Sequence, residues 1–355
     1  MIRITETQPT QPGLPLCWEA TSGRDTPLSE IIDWLGQVRR DLDRALLEAG
    51  GVCLRGFDHI ATAADFSAIM STIAPELMDY VGGTSPRDAI HGKVMTATKL
   101  PPTFSIPLHQ EMSYTDGFPA EVAFFGAKPP TEGGETTTGD MRRLTRALDP
   151  AVRERFTQKG GVQLRRTLPC PESLHKKPGV AKSWAEAFGT SERGAAERIA
   201  DARGWRIDWL EDGSAQLWQE IRPVTTRHSL TGEELWFNQV HIFSPCCTAQ
   251  WARDDGRLAE AAAIERAVAE APHLLDRVFH GDGSEVSEED ALYLYELHRR
   301  FTVPHRWLRG DVLLLDNILF GHGRRTFAGE RSIMVALVKR RAAAGEAPAT
   351  ADAAE

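Results

Sequence analysis

Long apolar runs are missing from this 355-residue chain. No stretch approaches the roughly 20 uncharged residues that a membrane-spanning helix needs. The opening MIRITETQPTQPGLPLCWEA likewise holds no apolar run of signal-peptide type. Cysteine is scarce. The five residues are odd in number and scattered, apart from Cys246 and Cys247, and none has C-x-x-C spacing. That excludes a disulfide framework, a zinc ribbon and a thioredoxin-like motif. An excess of positive charge is also absent. The formal charge of −9 argues against a general nucleic-acid surface while leaving room for a local basic pocket. These absences lead us to expect a reduced, cytoplasmic compartment, with no membrane or nucleic-acid partner. They say nothing of oligomeric state. What is present is ordinary: 41% hydrophobic and 26% charged residues, enough for a large core in one or two domains.

Periodicity divides the chain. Apolar residues at Ile31, Leu35, Val38, Leu42 and Leu46 predict a helix over 28–50, closing on a glycine pair. A strand is expected over 51–57, then a helix over 64–78 that Pro75 kinks or ends. KVMTATK, FSIPLHQEMSY, AEVAFFGAK, ELWFNQV, DVLLLDN and RSIMVALVKR read as strands, with helical inserts over 183–204 and 256–275. Strands and helices do not alternate regularly, so a doubly wound sheet is disfavoured and a β-sandwich core with outer helices fits better. Residues 1–15 read as an irregular N-terminal arm, 16–341 as one domain, and 342–355 as a flexible tail. The long irregular loop over 169–182 suggests a lid within 165–185.

Three short motifs carry chemistry. In SIPLHQEMSY, His109 and Glu111 stand two apart, so on a strand they would share a face. Alone, that pair arises often by chance. Far downstream, GHGRRTFAGER supplies His322. Two imidazoles and one carboxylate leave three adjacent positions free on an octahedral ion, which suits non-haem Fe(II) that must also hold a co-substrate and O2. Between them, GGETTTGD combines a Gly133–Gly134 turn with the Thr136 hydroxyl. An arginine opposite such a hydroxyl makes a receptor for a carboxylate.

The order IPLHQEMSY, FPAEVAFFGAKPPTEGGETT, DVLLLDN, HGRRTFAGERSIMVAL resembles the taurine dioxygenase (TauD/TfdA) family of Fe(II)/2-oxoglutarate-dependent oxygenases. The nearest look is to the branch containing the syringomycin-pathway aspartate hydroxylase, from about Tyr80 to Leu337. The resemblance implies a mainly β fold with helical inserts, a double-stranded β-helix (jelly-roll) core flanked by α-helices. It implies Fe(II) on His109, Glu111 and His322. It also implies 2-oxoglutarate held at its distal carboxylate by Arg331 and Thr136. Many relatives have Asp where this chain has Glu111, but clavaminate synthase has Glu. A second arginine common in relatives is Val335 here, which leaves Arg324 as a substitute contact or as part of a structural salt bridge.

The implied reaction consumes O2 and 2-oxoglutarate, releases succinate and CO2, and hydroxylates an unactivated C–H bond. The substrate would be an amino acid or an amino-acid-derived natural-product intermediate, free or carried as a protein-bound thioester. Desaturation or cyclisation would use the same ligands, whereas a halogenase would lack Glu111. A cupin-like metal hydrolase or isomerase, or a metal-binding sensor, would have no need of the carboxylate receptor. Asn238, Tyr114 and Arg87 are the substrate candidates. Backbone partners could satisfy Asn238 equally well, and are expected for His241. Arg165, Arg166, Lys176 and Lys177 read as solvated, or as a basic entrance for an acidic carrier.

Overall fold

The computed structural model describes residues 2–21, 26–74, 76–80, 87–177 and 182–339, without the side chains of 174–176. Two facing sheets form the centre. The larger has eight strands in the order Ile4–Thr7, Leu16–Ala20, Gly51–Arg55, Val312–Asp316, Glu121–Lys128, Ser332–Val338, Val94–Thr96, Ala89–His91. The smaller runs Val303–His305, Thr136–Asp140, Phe320–Arg324, Ile106–His109. All pairs are antiparallel except Leu16–Ala20 with Gly51–Arg55. This is the jelly roll that the motifs implied.

Alternation along the central strands explains why they carry almost no polar residues. Phe124, Leu313, Leu315 and Val335 point between the sheets, where they meet Leu108 and Phe320. Their neighbours Phe125, Leu314 and Ala336 point the other way and pack on Ile31, Leu35 and Phe66. Those last residues belong to the helices Leu28–Ala49 and Ala63–Ile73, which cover the outer face. A strand buried on both sides must be apolar throughout. The first helix ends where the glycine pair predicts: Gly50 adopts φ +77° and donates its N–H to the Leu46 carbonyl.

Several expectations need correction. The N-terminal arm is not irregular, because Ile4–Thr7 pairs with Leu16–Ala20 as the edge of the large sheet. The 64–78 helix stops at Ile73. ELWFNQV holds strand only over Glu234–Trp236, and the chain then turns into the short helix Val240–Phe243. The insert over 183–204 is two helices, Trp184–Phe188 and Arg193–Asp201. Much of the expected lid is built structure: 165–168 belongs to the strand Val162–Leu168, in a third sheet with Arg206–Trp209, Ala215–Trp218 and Arg277–His280. Residues 178–181, Pro75 and the tail from 342 lie outside the described residues. Among those described, no helix is long and apolar enough to cross a membrane.

Candidate active site

His109 and His322 are cross-strand partners in the small sheet, with ring centroids 4.5 Å apart. Glu111 does not share their sheet face as its spacing predicted. The strand ends at His109, and the chain turns through Met112 at φ +54°, a backbone conformation that L side chains rarely adopt. Such a residue costs on the order of 1–3 kcal/mol and persists only where its surroundings fix it. Here Asn317 fixes it. Its Oδ1 accepts from the Glu111 N–H at 2.7 Å, and its Nδ2 donates to the Glu111 and Pro119 carbonyls, both at 2.9 Å. Gln110 adds a bond from Nε2 to the Ile318 carbonyl at 3.0 Å.

The turn brings Glu111 Oε2 to 3.4 Å from His322 Nε2. One ligand atom from each of His109, Glu111 and His322 lies within 4.8 Å of the other two. Neighbouring ligands on an octahedral ion with bonds of ~2.1 Å sit ~3 Å apart, so modest side-chain motion lets one cation meet all three. The second nitrogens fit that role. His109 Nδ1 is hydrogen-bonded to the Pro107 carbonyl at 2.9 Å, which leaves Nε2 for the site. Phe124 packs edge-on against the His322 ring.

Electrostatics favour the ligand forms. Burial, reinforced by His322, pushes the His109 imidazole down to about 4, so it is neutral at neutral pH. Burial alone would raise the Glu111 carboxyl. Arg87, at 2.8 Å, and the two histidines instead hold it well below the usual carboxylate range. Arg87 in turn stacks on Tyr80. It is therefore the charge partner of Glu111 and lines a separate cleft with Met78 and Met95, not the substrate cavity expected for it.

Thr136 pairs with Arg324 in the strand register, and the next in-register side chains on that face are Thr138 and His322, ~7 Å along the sheet. Its Oγ1 accepts a hydrogen bond from Trp307 Nε1 at 3.0 Å, leaving the hydroxyl proton to donate. Arg331 makes one hydrogen bond, from Nε to the Gly134 carbonyl at 3.1 Å. Burial and neighbouring Arg324 lower its pKa to about 9, as expected for a largely buried cation with no ion-pair partner among the described residues. A Cβ on Gly134, at φ +66°, would lie 2.6 Å from Pro130 and 2.9 Å from Phe327 Cβ, so glycine is needed for the turn beneath Arg331 to close. Among the described residues Arg324 forms no salt bridge, and its hydrogen bonds are to the backbone instead. Its guanidinium donates to the carbonyls of Leu100, Pro101 and Phe104.

The family profile of the taurine catabolism dioxygenases, the TauD, TfdA family, matches residues 6–337. The chain belongs to that family. Curated relatives include the dapdiamide synthesis protein DdaC of Enterobacter agglomerans, 30% identical over 84% of each chain. Another is a clavaminate synthase-like protein of Arabidopsis thaliana, 29% identical, also over 84% of each. Among solved structures, PvcB of Pseudomonas aeruginosa is similar at 16% identity and a TM-score of 0.48, over 95% of this chain and 91% of that one. A taurine dioxygenase of Burkholderia xenovorans is similar at 15% identity and a TM-score of 0.47, over 95% and 89%. The protein is thus an Fe(II)- and 2-oxoglutarate-dependent dioxygenase that consumes O2.

In this oxygenase a cavity of about 130 Å³ opens on His109 and Glu111 and is lined by Tyr114, Gln239, Trp251, Arg166 and Lys177, among others. Tyr114 stands in it as expected. Asn238 does not: its amide bonds the Val224 carbonyl and the Val240 N–H, and it faces a smaller pocket. Gln239 lines the cavity instead, tied through Nε2 to the Gln110 carbonyl at 2.6 Å. His241 Nε2 bonds the Leu108 carbonyl behind the centre, and its ring stacks on His298 at 3.5 Å. Arg166 and Lys177 are buried in the cavity wall, and Arg165 reaches the Pro272 and Leu275 carbonyls, so none is simply solvated. The Lys176 side chain lies outside the description. Sequence reasoning also missed Asn317 and Trp307, which hold the sites from far away in the chain.

A second buried group of metal-ligating types, Cys53, His305 and Asp311, is of another kind. Asp311 already accepts from Arg55 Nε and Nη2 and from the Leu308 N–H, so its charge is neutralised.

Proposed function

We propose that this dioxygenase hydroxylates an unactivated C–H bond of an amino acid or amino-acid-derived intermediate in natural-product synthesis. His109, Glu111 and His322 would bind Fe(II), and Arg331 and Thr136 would bind the distal carboxylate of 2-oxoglutarate. The observation carrying the assignment is that three ligand atoms of the right types converge beside a cavity that His109 and Glu111 line, while Thr136 lies on the strand next to His322 and a largely buried arginine, Arg331, opens a strand of the facing sheet. The relative named for dapdiamide synthesis supports the natural-product role.

When bound, Fe(II) with 2-oxoglutarate and O2 supplies the oxidising power for C–H cleavage, with succinate and CO2 as co-products. The chain's own residues do the rest. Asn317 and the strained Met112 turn aim Glu111. Arg87 keeps it ionised, and Pro107 presents His109 Nε2. Trp307 points the Thr136 proton toward the carboxylate that Arg331 attracts. Tyr114, Met112, Phe243 and Trp251 wall the cavity, holding substrate carbon near the centre and limiting water.

The test begins with anaerobic reconstitution with Fe(II) and 2-oxoglutarate and the appearance of their charge-transfer band. Free amino acids, peptides and aminoacyl-carrier thioesters are then offered with O2, and succinate is measured beside product mass. A gain of sixteen mass units coupled to succinate supports hydroxylation, whereas a loss of two marks desaturation or cyclisation. Coupling only to a sulfonate, an aryloxyacetate or a lipid refutes the amino-acid reading. The burial of Arg166 and Lys177 removes them from any carrier-docking surface, so free substrates are the favoured arm.

A further inference from the structure

The oxygenase cavity has a basic wall that neither the iron ligands nor the 2-oxoglutarate receptor uses. Arg166 lies in the strand Val162–Leu168 and is only 4% exposed. Its Nε is fully enclosed without a hydrogen-bond partner, and no described acceptor meets the rest of its guanidinium. Lys182 lines the same cavity. It too has no ion-pair partner among the described residues, and burial followed by repulsion from Arg166 lowers its pKa.

Nearby acids are already committed. Asp276 holds Lys177 at 2.7 Å and also accepts the Thr167 N–H. Glu186 caps its own helix through the Ser183 N–H and hydroxyl. Counting Arg166, Lys177 and Lys182 against Asp276 and Glu186, which attracts Lys182 without pairing with it, leaves one positive charge unmatched on this wall. A buried cation without a partner forfeits its hydration with nothing in return, so its retention calls for an anion that arrives with a ligand.

We propose that Arg166, assisted by Lys182, is the receptor for a carboxylate on the organic substrate, so that this enzyme selects carboxylic acids bound by the end remote from the oxidised carbon. The inference deepens the proposed function and rests on it. A guanidinium takes a carboxylate through two parallel hydrogen bonds, fixing direction as well as charge. Lys177, already paired, holds the wall by bonding the Thr167 carbonyl beside Arg166.

The test uses the anaerobic Fe(II)–2-oxoglutarate complex, so the Arg331 receptor is filled before any probe is added. Propionate is the probe, with chloride at equal ionic strength as control. Three results are expected together: Arg166→Met leaves the melting temperature unchanged or raises it by about 2 °C, propionate stabilises the wild type more than chloride does, and Arg166→Met abolishes that difference. Lys182→Met, at a half-exposed position, should weaken it, which covers the case of a misfolded Arg166 variant. A fall of several degrees in Arg166→Met would make the arginine structural and overturn the proposal. So would a propionate effect equal in all the proteins, or absent from the wild type. Failure of the underlying dioxygenase assignment reads out separately, as absence of the charge-transfer band before propionate is added.

Discussion

Replacing Asn317 by Ala or Leu tests whether the metal centre depends on the turn that carries Glu111. Asn317 is wholly buried and makes three hydrogen bonds, two of them to the Glu111 backbone. Truncation orphans one N–H and two carbonyls. Each buried group left without a partner costs about 1–3 kcal/mol, and part of the turn can relax, so a net loss of about 3–5 kcal/mol is expected. The positive φ at Met112 adds to this, because the strained turn loses the clamp that holds it. Metal affinity should fall as well. Loss of a group that orients a ligand typically costs 10–100-fold. Urea unfolding of the metal-free protein gives the first quantity, and anaerobic titration of Fe(II) in the presence of 2-oxoglutarate gives the second. Asn317→Asp keeps the acceptor for the Glu111 N–H but lacks both donors, and should fall between. If the Ala variant stays within about 0.5 kcal/mol of wild type and binds iron equally well, the turn is not held as argued.

The ligand set predicts that His109→Ala, Glu111→Gln and His322→Ala each abolish the charge-transfer band and turnover while circular dichroism stays native; Gln is chosen because Glu111→Ala would strand Arg87. Wild-type succinate production in all three would refute the centre. For the co-substrate, Arg331→Ala should weaken apparent 2-oxoglutarate affinity about 10- to 100-fold and Thr136→Ala about 2- to 10-fold, since a charge-assisted bond is worth roughly twice a neutral one. Equal, small effects would place the receptor elsewhere. Acid should destabilise the fold through His298, which burial beside His241 pushes from 6.5 down to about 4. Between those values the unfolded chain binds the proton and the folded one does not, so stability rises with pH across the window. It is fully present above about 6.5, and ~3 kcal/mol is lost as the pH falls through about 4. Urea midpoints at pH 7.5 and 4.5 measure this, and a flat profile would contradict it.

How far the sequence could be read depended on whether a residue's neighbours were local. His322, Thr136 and Arg331 were legible because each sits in a short motif on or beside a regular strand. Glu111 does come beside the two histidines, but not along the strand face expected for it, since a left-handed turn at a methionine leaves no compositional mark. Asn317 and Trp307 act across 206 and 171 positions, and nothing in one sequence links such pairs. Asn238 was expected on a strand over ELWFNQV, but the strand ends at Trp236 and the neighbouring Gln239 is the side chain that lines the cavity. Arg166 is different, because its placement could have been read. Val162, Leu164 and Leu168 alternate with it on one strand face, which puts a charged residue in an apolar row. The adjacent Arg165 made the pair look like a solvated loop.

That row also explains how the fold separates chemistry from recognition. Every group proposed for iron and 2-oxoglutarate lies on the two jelly-roll sheets or the turns that join them: His109, Glu111, Thr136, His322 and Arg331. The groups proposed for the substrate carboxylate come from the third sheet and its flanking segments: Arg166, Lys182 and the Lys177–Asp276 pair. Of the first set only His109 and Glu111 line the cavity that Arg166 and Lys182 also line, so the free-energy contributions of the two arginines, Arg166 and Arg331, should be nearly independent. Exchanging Arg166 for a neutral residue should then change which molecules trigger turnover while leaving the iron and 2-oxoglutarate affinities in place. Exchanging Arg331 should do the reverse. A double variant whose two losses multiply, without extra coupling, would mean that the two arginines serve different ligands. Strong coupling would mean that both arginines serve a single ligand.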